Sequence, residues 1–250
     1  MAIFEGVEAR TAGTDVKHPV FTTARTLARL ATAWHRAQLV DAHHLPPGPA
    51  LLIGNHGLLG WEAVAFFSLL ERHTGRVPVG LTDRKLFGGR ALRSLLQFVG
   101  GVPGTRANAV DALGGGRMVV CYPGGSRETF KSPRRHYRLA WEDTDGFARL
   151  ACETGTPVVP FAGLGVDDTF LNLGHLPLTR TLFGRYAMPL ALGLGPVPLP
   201  VRLRFRFGRP IAPAVARHDP ARLKRLVQDA VESMMEGHGQ PARAPVPSLP

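Results

Sequence analysis

The pattern of apolar and polar positions along the chain alternates between two periods. Short apolar runs predict buried strands at Ala50–Ile53, 77–81, 117–122 and 156–165. Between them, apolar residues recur at helical spacing and predict helices over 61–72, 89–98, 107–114, 146–154 and 220–236. The 146–154 helix, GFARLACET, has its stop signal at Gly155. Near the N-terminus a helix over 21–40 places Leu27, Leu30, Ala31 and Trp34 on one face, with Arg25, Arg29 and Arg36 elsewhere. Residues 201–207, VRLRFRF, alternate with period two, as a strand does when it buries one face and solvates Arg202, Arg204 and Arg206 on the other. Strands alternating with helices predict an α/β fold, a single mixed and mostly parallel sheet flanked by helices.

The rest of the pattern sets boundaries. Residues 1–20 show no periodicity, LPPGP at 45–49 is a rigid turn, and 171–200 is a long stretch rich in Pro and Gly. The tail GQPARAPVPSLP is too rich in proline to fold. The expected organisation is an arm and amphipathic helix over 1–40, one domain over 41–238, and a disordered tail over 239–250. No repeat interrupts it.

Charge changes the picture. The 250 residues carry a formal net charge of +11, mostly from arginine, which favours anionic partners. No RNP motif, zinc finger or interleaved basic and aromatic strand is present, so nucleic acid is not expected. The run Tyr186–Val201 is apolar and uncharged, but its four prolines and its length argue against a spanning helix. A basic amphipathic helix at 21–40 fits either a lipid interface or the outside of a core, and the pattern leaves both open. Cys121 and Cys152, each in or beside an apolar run, read as free thiols, and the opening MAIFEGVEAR has no secretory apolar core. Cytoplasmic placement, peripheral at the inner face of a membrane, is the expectation.

Four segments carry chemistry. Asn55-His56 follows a strand and opens a glycine-rich loop that ends in Glu62. Histidine titrates near neutrality and can take a hydroxyl proton, and a carboxylate on its other nitrogen would fix the tautomer. A helix beginning near Trp61 would put Glu62 in its first turn. GGVPGTRANA at 100–109 combines close backbone approach at Gly101 with the guanidinium of Arg106 and Asn108 at a helix start. CYPGGSRETF at 121–130 leaves a strand, turns through Pro123, Gly124 and Gly125, and presents Ser126 and Arg127. Ser126 is not in a G-x-S-x-G elbow, and neither loop is a phosphate-binding or dinucleotide fingerprint. VVPFAGLGVDDTF at 158–170 ends in Asp167-Asp168, a turn or cap rather than a metal site; no metal ligand set is expected.

In this order the four segments resemble the lysophospholipid acyltransferase superfamily, which includes bacterial 1-acylglycerol-3-phosphate acyltransferases. Its blocks correspond to Asn55-His56…Glu62, Gly101-Val102-Pro103…Arg106, Pro123-Gly124-Gly125-Ser126-Arg127 and Val159-Pro160, spanning roughly 45–213. Two departures are visible. The acid stands one residue later than the family's usual His, four residues, Asp spacing, at Glu62 rather than at Trp61, and Gly124 occupies a position where phosphate-acceptor members carry Glu. Both are similar to the branch with phytyl ester synthases and type-2 diacylglycerol acyltransferase relatives.

The resemblance implies an acyltransferase-type fold and transfer of a fatty acyl group from acyl-CoA or acyl-carrier protein to a hydroxyl of a lipid acceptor. His56 would be the general base, Glu62 its orienting carboxylate, and Asn55, Gly101, Arg106, Pro123, Gly124, Gly125, Ser126 and Arg127 the substrate-binding set. No cofactor is implied beyond the acyl donor as co-substrate. Partners are the lipid acceptor, the acyl donor and, peripherally, an anionic membrane. The alternatives are a lipid-surface binding protein without catalysis and an acyl-thioester hydrolase using the same His56.

Overall fold

The computed structural model describes residues 19–84, 96, 100–142, 144–176, 188–195 and 197–236, with side chains from residue 26 onward. The helix expected at 89–98, apart from Leu96, and the expected tail lie outside the described residues, as does nearly all of the arm. Nine strands are described. Seven form one sheet in the order β1-β9-β6-β2-β5-β3-β4. They are β1 (Gln38–Val40), β2 (Ala50–Gly54), β3 (Val79–Thr82), β4 (Gly101–Pro103), β5 (Met118–Cys121), β6 (Val158–Leu164) and β9 (Arg204–Phe207). All neighbours pair in parallel except β6 and β9, so the sheet is mixed and mostly parallel. The remaining two, β7 (Leu171–His175) and β8 (Pro189–Leu192), make an antiparallel ribbon of their own.

Strands β2 and β6 are buried along their whole length, as expected where helices cover both faces of a parallel sheet. Alternate residues feed two cores. Leu51, Ile53, Val119 and Ala162 face one side, where α3 (Arg106–Gly114), α5 (Gly146–Thr154) and α6 (Pro220–Met235) pack. Leu52, Val120, Val159 and Phe161 face the other, against α2 (Glu62–Thr74), whose Phe66 lies among Phe161, Phe205 and Phe207. Helix α6 shows why periodicity predicted it: Asp219 caps its first turn and Leu223, Val227, Val231 and Met235 form one buried stripe.

Two expectations from the sequence are corrected. The helix expected over 21–40 is α1 (Pro19–Trp34), and Arg36 takes a left-handed φ of 43° that ends it. Residues 38–40 instead form edge strand β1, pairing with β9 through Gln38↔Arg204. Pairing satisfies backbone groups that a solvent-exposed helical end would leave open, and it lets Leu39 pack on the second core. The stretch 171–200, rich in Pro and Gly and given no element from the sequence, contains the ribbon. The period-two reading of 201–207 is borne out in its alternation, with Leu203, Phe205 and Phe207 buried and Arg206 exposed and paired with Asp41 at 3.1 Å, but the strand itself begins only at Arg204. Among the described residues no helix is long and apolar enough to cross a membrane.

Candidate active site

The chain leaves β2 toward β3 on one side of the sheet and returns as β6 on the other. That makes the carboxyl end of β2 a topological switch point, where open α/β sheets leave a crevice for ligands. The loops after β2, β5 and β6 meet there. Asn55 comes first. Its Nδ2 donates to the Gly163 carbonyl at 3.0 Å and its Oδ1 accepts the Gly163 N–H at 2.7 Å, which clips the end of β2 to β6. Both amide groups are thereby used, and the side chain is buried.

His56 follows, with Nδ1 at 2.5 Å from Glu62 Oε1. The same oxygen accepts the Gly57 N–H at 3.0 Å. Helix α2 begins at Glu62, so this acid curls back from the first turn, where the helix dipole favours negative charge. Glu62 is 1% exposed, and that burial would push its carboxyl up. Attraction to His56 and the hydrogen bonds from the imidazole and Gly57 outweigh burial and hold the carboxyl below its ordinary range. With Glu62 ionised, the short bond needs the proton on Nδ1, which leaves Nε2 with a lone pair.

The loop between them keeps the far edge of the ring open. Gly60 has φ 68°, and a Cβ there would stand 2.8 Å from His56 Cε1 and 3.2 Å from Nε2. Any side chain at this position would crowd the edge that has to meet a hydroxyl. Tyr122 stacks on a face of the imidazole, with ring centroids 3.9 Å apart and 10° between the planes. Burial, reinforced by Glu62, pushes the Tyr122 hydroxyl well up, and burial pushes the Cys121 thiol to about 12. Neither is ionised at neutral pH, so neither competes with His56 as base or nucleophile.

The third block holds a residue the sequence reading missed. Glu128, in the one-turn helix α4 (Ser126–Thr129), is fully buried. Its Oε2 accepts the His56 backbone N–H at 2.7 Å and its Oε1 accepts the Ala140 N–H at 2.9 Å. Burial raises its carboxyl above the usual range, against the pull of Lys131 and the two N–H groups. This carboxyl lies where a side chain at 124 would go: a Cβ on Gly124 would be 2.2 Å from Glu128 Cδ. The available signal was an acid two residues beyond Ser126, in a block where Gly124 stands in place of one.

Ser126 and Arg127 open α4 and are half-buried, and Pro123 and Gly124 are buried in the preceding turn. The Gly125 N–H, one of two glycine amides in that turn, is bonded to the Tyr122 carbonyl at 3.0 Å. Asp167 differs from its sequence reading. Beyond ending a turn, it forms a buried ion pair with Lys131, Nζ at 2.8 and 3.0 Å from the two carboxylate oxygens, and also accepts the Tyr137 N–H at 2.7 Å. A lysine stem long enough to reach the third loop from the second is what draws it inward.

The second block stands apart. Gly101 is buried in β4, three strand positions from β2, or about 14 Å across the sheet. Arg106 begins α3, capped by Thr105, and pairs with Glu153 of α5 at 2.8 Å on an exposed surface. Among the described residues no cluster of His, Cys, Asp or Glu could hold a metal ion. The structure thus gathers Asn55, His56, Glu62, Pro123, Gly124 and Gly125, adds Tyr122 and Glu128, and leaves Gly101 and Arg106 at the sheet edge.

A family described as Acyltransferase matches residues 36–163, the segment that carries β1 through most of β6 and every residue gathered around His56. The chain belongs to the acyltransferase family. A bovine relative named "DGAT1/2-independent enzyme synthesizing storage lipids" is 29% identical over 209 residues, covering 83% of this chain and 61% of its own length. The human protein of that name is 28% identical over 162 residues, 64% of this chain and 50% of its own. "Phytyl ester synthase 2, chloroplastic" of Arabidopsis thaliana is 32% identical over 130 residues, 48% of this chain and 18% of that protein. The acyltransferase chain therefore spans between 18% and 61% of the length of these relatives. The crystal structure of the 1-acyl-sn-glycerophosphate (LPA) acyltransferase PlsC from Thermotoga maritima superposes with a TM-score of 0.54 at 15% identity, covering 94% of this chain and 89% of that one, and shares the fold.

Proposed function

We propose that this acyltransferase moves a fatty acyl group from a thioester, acyl-CoA or acyl-carrier protein, to the hydroxyl of a lipid acceptor. The observation that carries the reading is the His56–Glu62 pair at the switch point, with an open Nε2 edge behind Gly60. In this reading the acceptor hydroxyl gives its proton to His56 Nε2 and its oxygen attacks the thioester carbonyl. Glu62 steadies the imidazolium that forms. The C–S bond then breaks as the ester forms, and the leaving thiolate takes the proton back. No acyl-enzyme is needed. The Gly124 amide is the remaining candidate for the oxyanion, since the Gly125 amide is engaged.

A neutral acceptor, a long-chain alcohol or a glycerolipid hydroxyl, suits the site better than a lysophosphatidate. Arg106 is occupied by Glu153 at the sheet edge, and the relatives' names concern storage lipids and phytyl esters. Helix α1 supports delivery at a membrane: it packs on α2 through its other face, while Leu27 and Leu30 are each 59% exposed. Mass-detected acyl transfer with a panel of alcohols, diacylglycerol and lysophospholipids tests the proposal. Ester formation on a neutral alcohol is expected. Release of free fatty acid alone would make the protein a hydrolase, and no turnover with any acceptor would leave a lipid-binding protein.

A further inference from the structure

The β7–β8 ribbon breaks the usual rule for a strand with one face on the protein. Leu171, Leu173, Leu190 and Leu192 point outward and are 58%, 60%, 38% and 47% exposed. The inward positions are polar or small: Asn172 and Ala191 pair with each other, and Leu171 pairs with Leu192. Leu194 and Val197, just beyond β8, are also exposed. Contiguous exposed leucines of this extent mark an interaction surface rather than scattered surface apolars.

The ribbon is held firmly to the catalytic loops. Asn172 Nδ2 donates to the Lys131 carbonyl at 2.8 Å, and His175 Nε2 bonds the Phe130 carbonyl at 2.8 Å, in the segment immediately after α4. At its base the Leu199 N–H donates to the Thr169 carbonyl at 2.7 Å. Trp34 Nε1 of α1 donates to the Pro198 carbonyl at 3.0 Å, which ties the end of α1 to the segment that follows the ribbon. Charge identifies what covers this surface. Residues 169–210 contain Arg180, Arg185, Arg202, Arg204, Arg206 and Arg209 and no acid, residues 16–40 contain no acid either, and of these arginines Arg206 is paired with Asp41. Two copies of such a surface would oppose arginine to arginine, whereas an anionic bilayer complements it.

We infer that the outward face of the β7–β8 ribbon is a bilayer-docking element that seats in an anionic lipid surface beside α1 and thereby fixes the His56 crevice against the membrane. This rests on the proposed function only in taking the acceptor to be a lipid. The four leucines enter the interface, the flanking arginines meet lipid phosphates, and the two hydrogen bonds to residues 130 and 131 transmit the orientation to α4. A membrane contact made by α1 alone would hold the protein at the surface without orienting the site.

The test pairs Leu171→Ser/Leu192→Ser with Val215→Ser, a residue 60% exposed on the turn preceding α6. Both are measured for co-sedimentation with vesicles of phosphatidylcholine and phosphatidylglycerol, for melting temperature, and for transfer from a short-chain acyl-CoA to a detergent-dispersed alcohol. The ribbon variant should bind vesicles at least about tenfold more weakly, with melting and dispersed-substrate turnover unchanged, while Val215→Ser binds like wild type. Unchanged vesicle binding overturns the inference. So does a fall in melting temperature with binding intact, which would mean the chain itself covers the leucines. A wild-type dimer in the absence of lipid that the variant dissolves would make a second copy the occupant. Absence of turnover in wild type would defeat the proposed function and leave the vesicle result to stand or fall by itself.

Discussion

The two ends of the third block run into regions that invert the rule of apolar inside and polar outside, in opposite directions. Around the end of β2, the acyltransferase buries Glu62, Glu128, Lys131 and Asp167, each hydrogen-bonded. On the β7–β8 ribbon and α1 it exposes seven large apolar side chains: Leu27, Leu30, Trp34, Leu171, Leu173, Leu190 and Leu192. Burying a charge is costly unless partners replace its water, and leaving leucines in water forgoes their transfer free energy. The contrast separates two kinds of constraint. The first region is nearly complete within the chain: each charge has a partner, and of these carboxylate oxygens only Glu62 Oε2 is buried without one. The second is complete only when something outside the chain covers it.

Breaking the first region should have the largest effect. His56→Ala should lower turnover by roughly 10²–10⁴-fold with unchanged melting, measured as initial rates of ester formation. Retention of more than a tenth of the wild-type rate would remove His56 from its role. Glu62→Gln should cost less than His56→Ala and more than any exposed acid, because shape survives and the charge that steadies an imidazolium does not. A rate equal to wild type would make Glu62 a helix-start residue only.

Next in size is Lys131→Met, which leaves the buried Asp167 carboxylate with the Tyr137 N–H as its named partner. Loss of one member of a buried pair costs about 3–5 kcal/mol, read as a shift in the denaturant midpoint. Adding Asp167→Asn should restore part of it; no recovery would mean the lysine matters through packing. Sharpening the second region gives a smaller effect. Leu27→Ser with Leu30→Ser should lower the salt-resistant part of vesicle binding, the ribbon leucines keeping the remainder, and leave melting alone, since both side chains already face out. A clear drop in melting would place that face against protein.

The smallest effect lies between the regions. The hydrogen bond to Asp168, at 3.2 Å, raises His136 above the usual histidine value, against partial burial. A raised folded value stabilises below the unfolded value near 6.5 and fades as pH rises through the folded one. His136→Gln should therefore lower the melting temperature at pH 5.5 and leave it unchanged at pH 9. The pair is exposed, so the difference should stay under about 1 kcal/mol.

Much of this was legible in the sequence. Strands β2, β5 and β6 were, because fully apolar runs between helical periods have few other homes. Helix α5 was read to the residue, since Gly155 supplies its stop with φ 67°. The His56–Glu62 pair was legible as well, because the two side chains are six residues apart and one helix start brings them together. Glu128 and Lys131 were not. Their partners lie 72 and 36 residues away, and no local period announces a contact made across the sheet. The ribbon failed for a different reason: its alternation is real but inverted, and Gly174, Gly193 and several prolines made it read as loop. Helix α1 showed its face plainly, yet a stripe of apolar residues says only that it wants covering, not by what.

The space shared by positions 124 and 128 also limits how this site can change by single steps. A Cβ at 124 and the Glu128 carboxyl cannot both be present as the chain is folded. A variant that moves the acid forward by Gly124→Glu meets a collision unless residue 128 is cut back first. Shortening 128 first strips the His56 and Ala140 amides of their acceptor. Each single exchange passes through a damaged protein, while the paired exchange need not. An acid at one position or the other is thus a branch point, and a library that samples the two sites one at a time will find only the side on which it began.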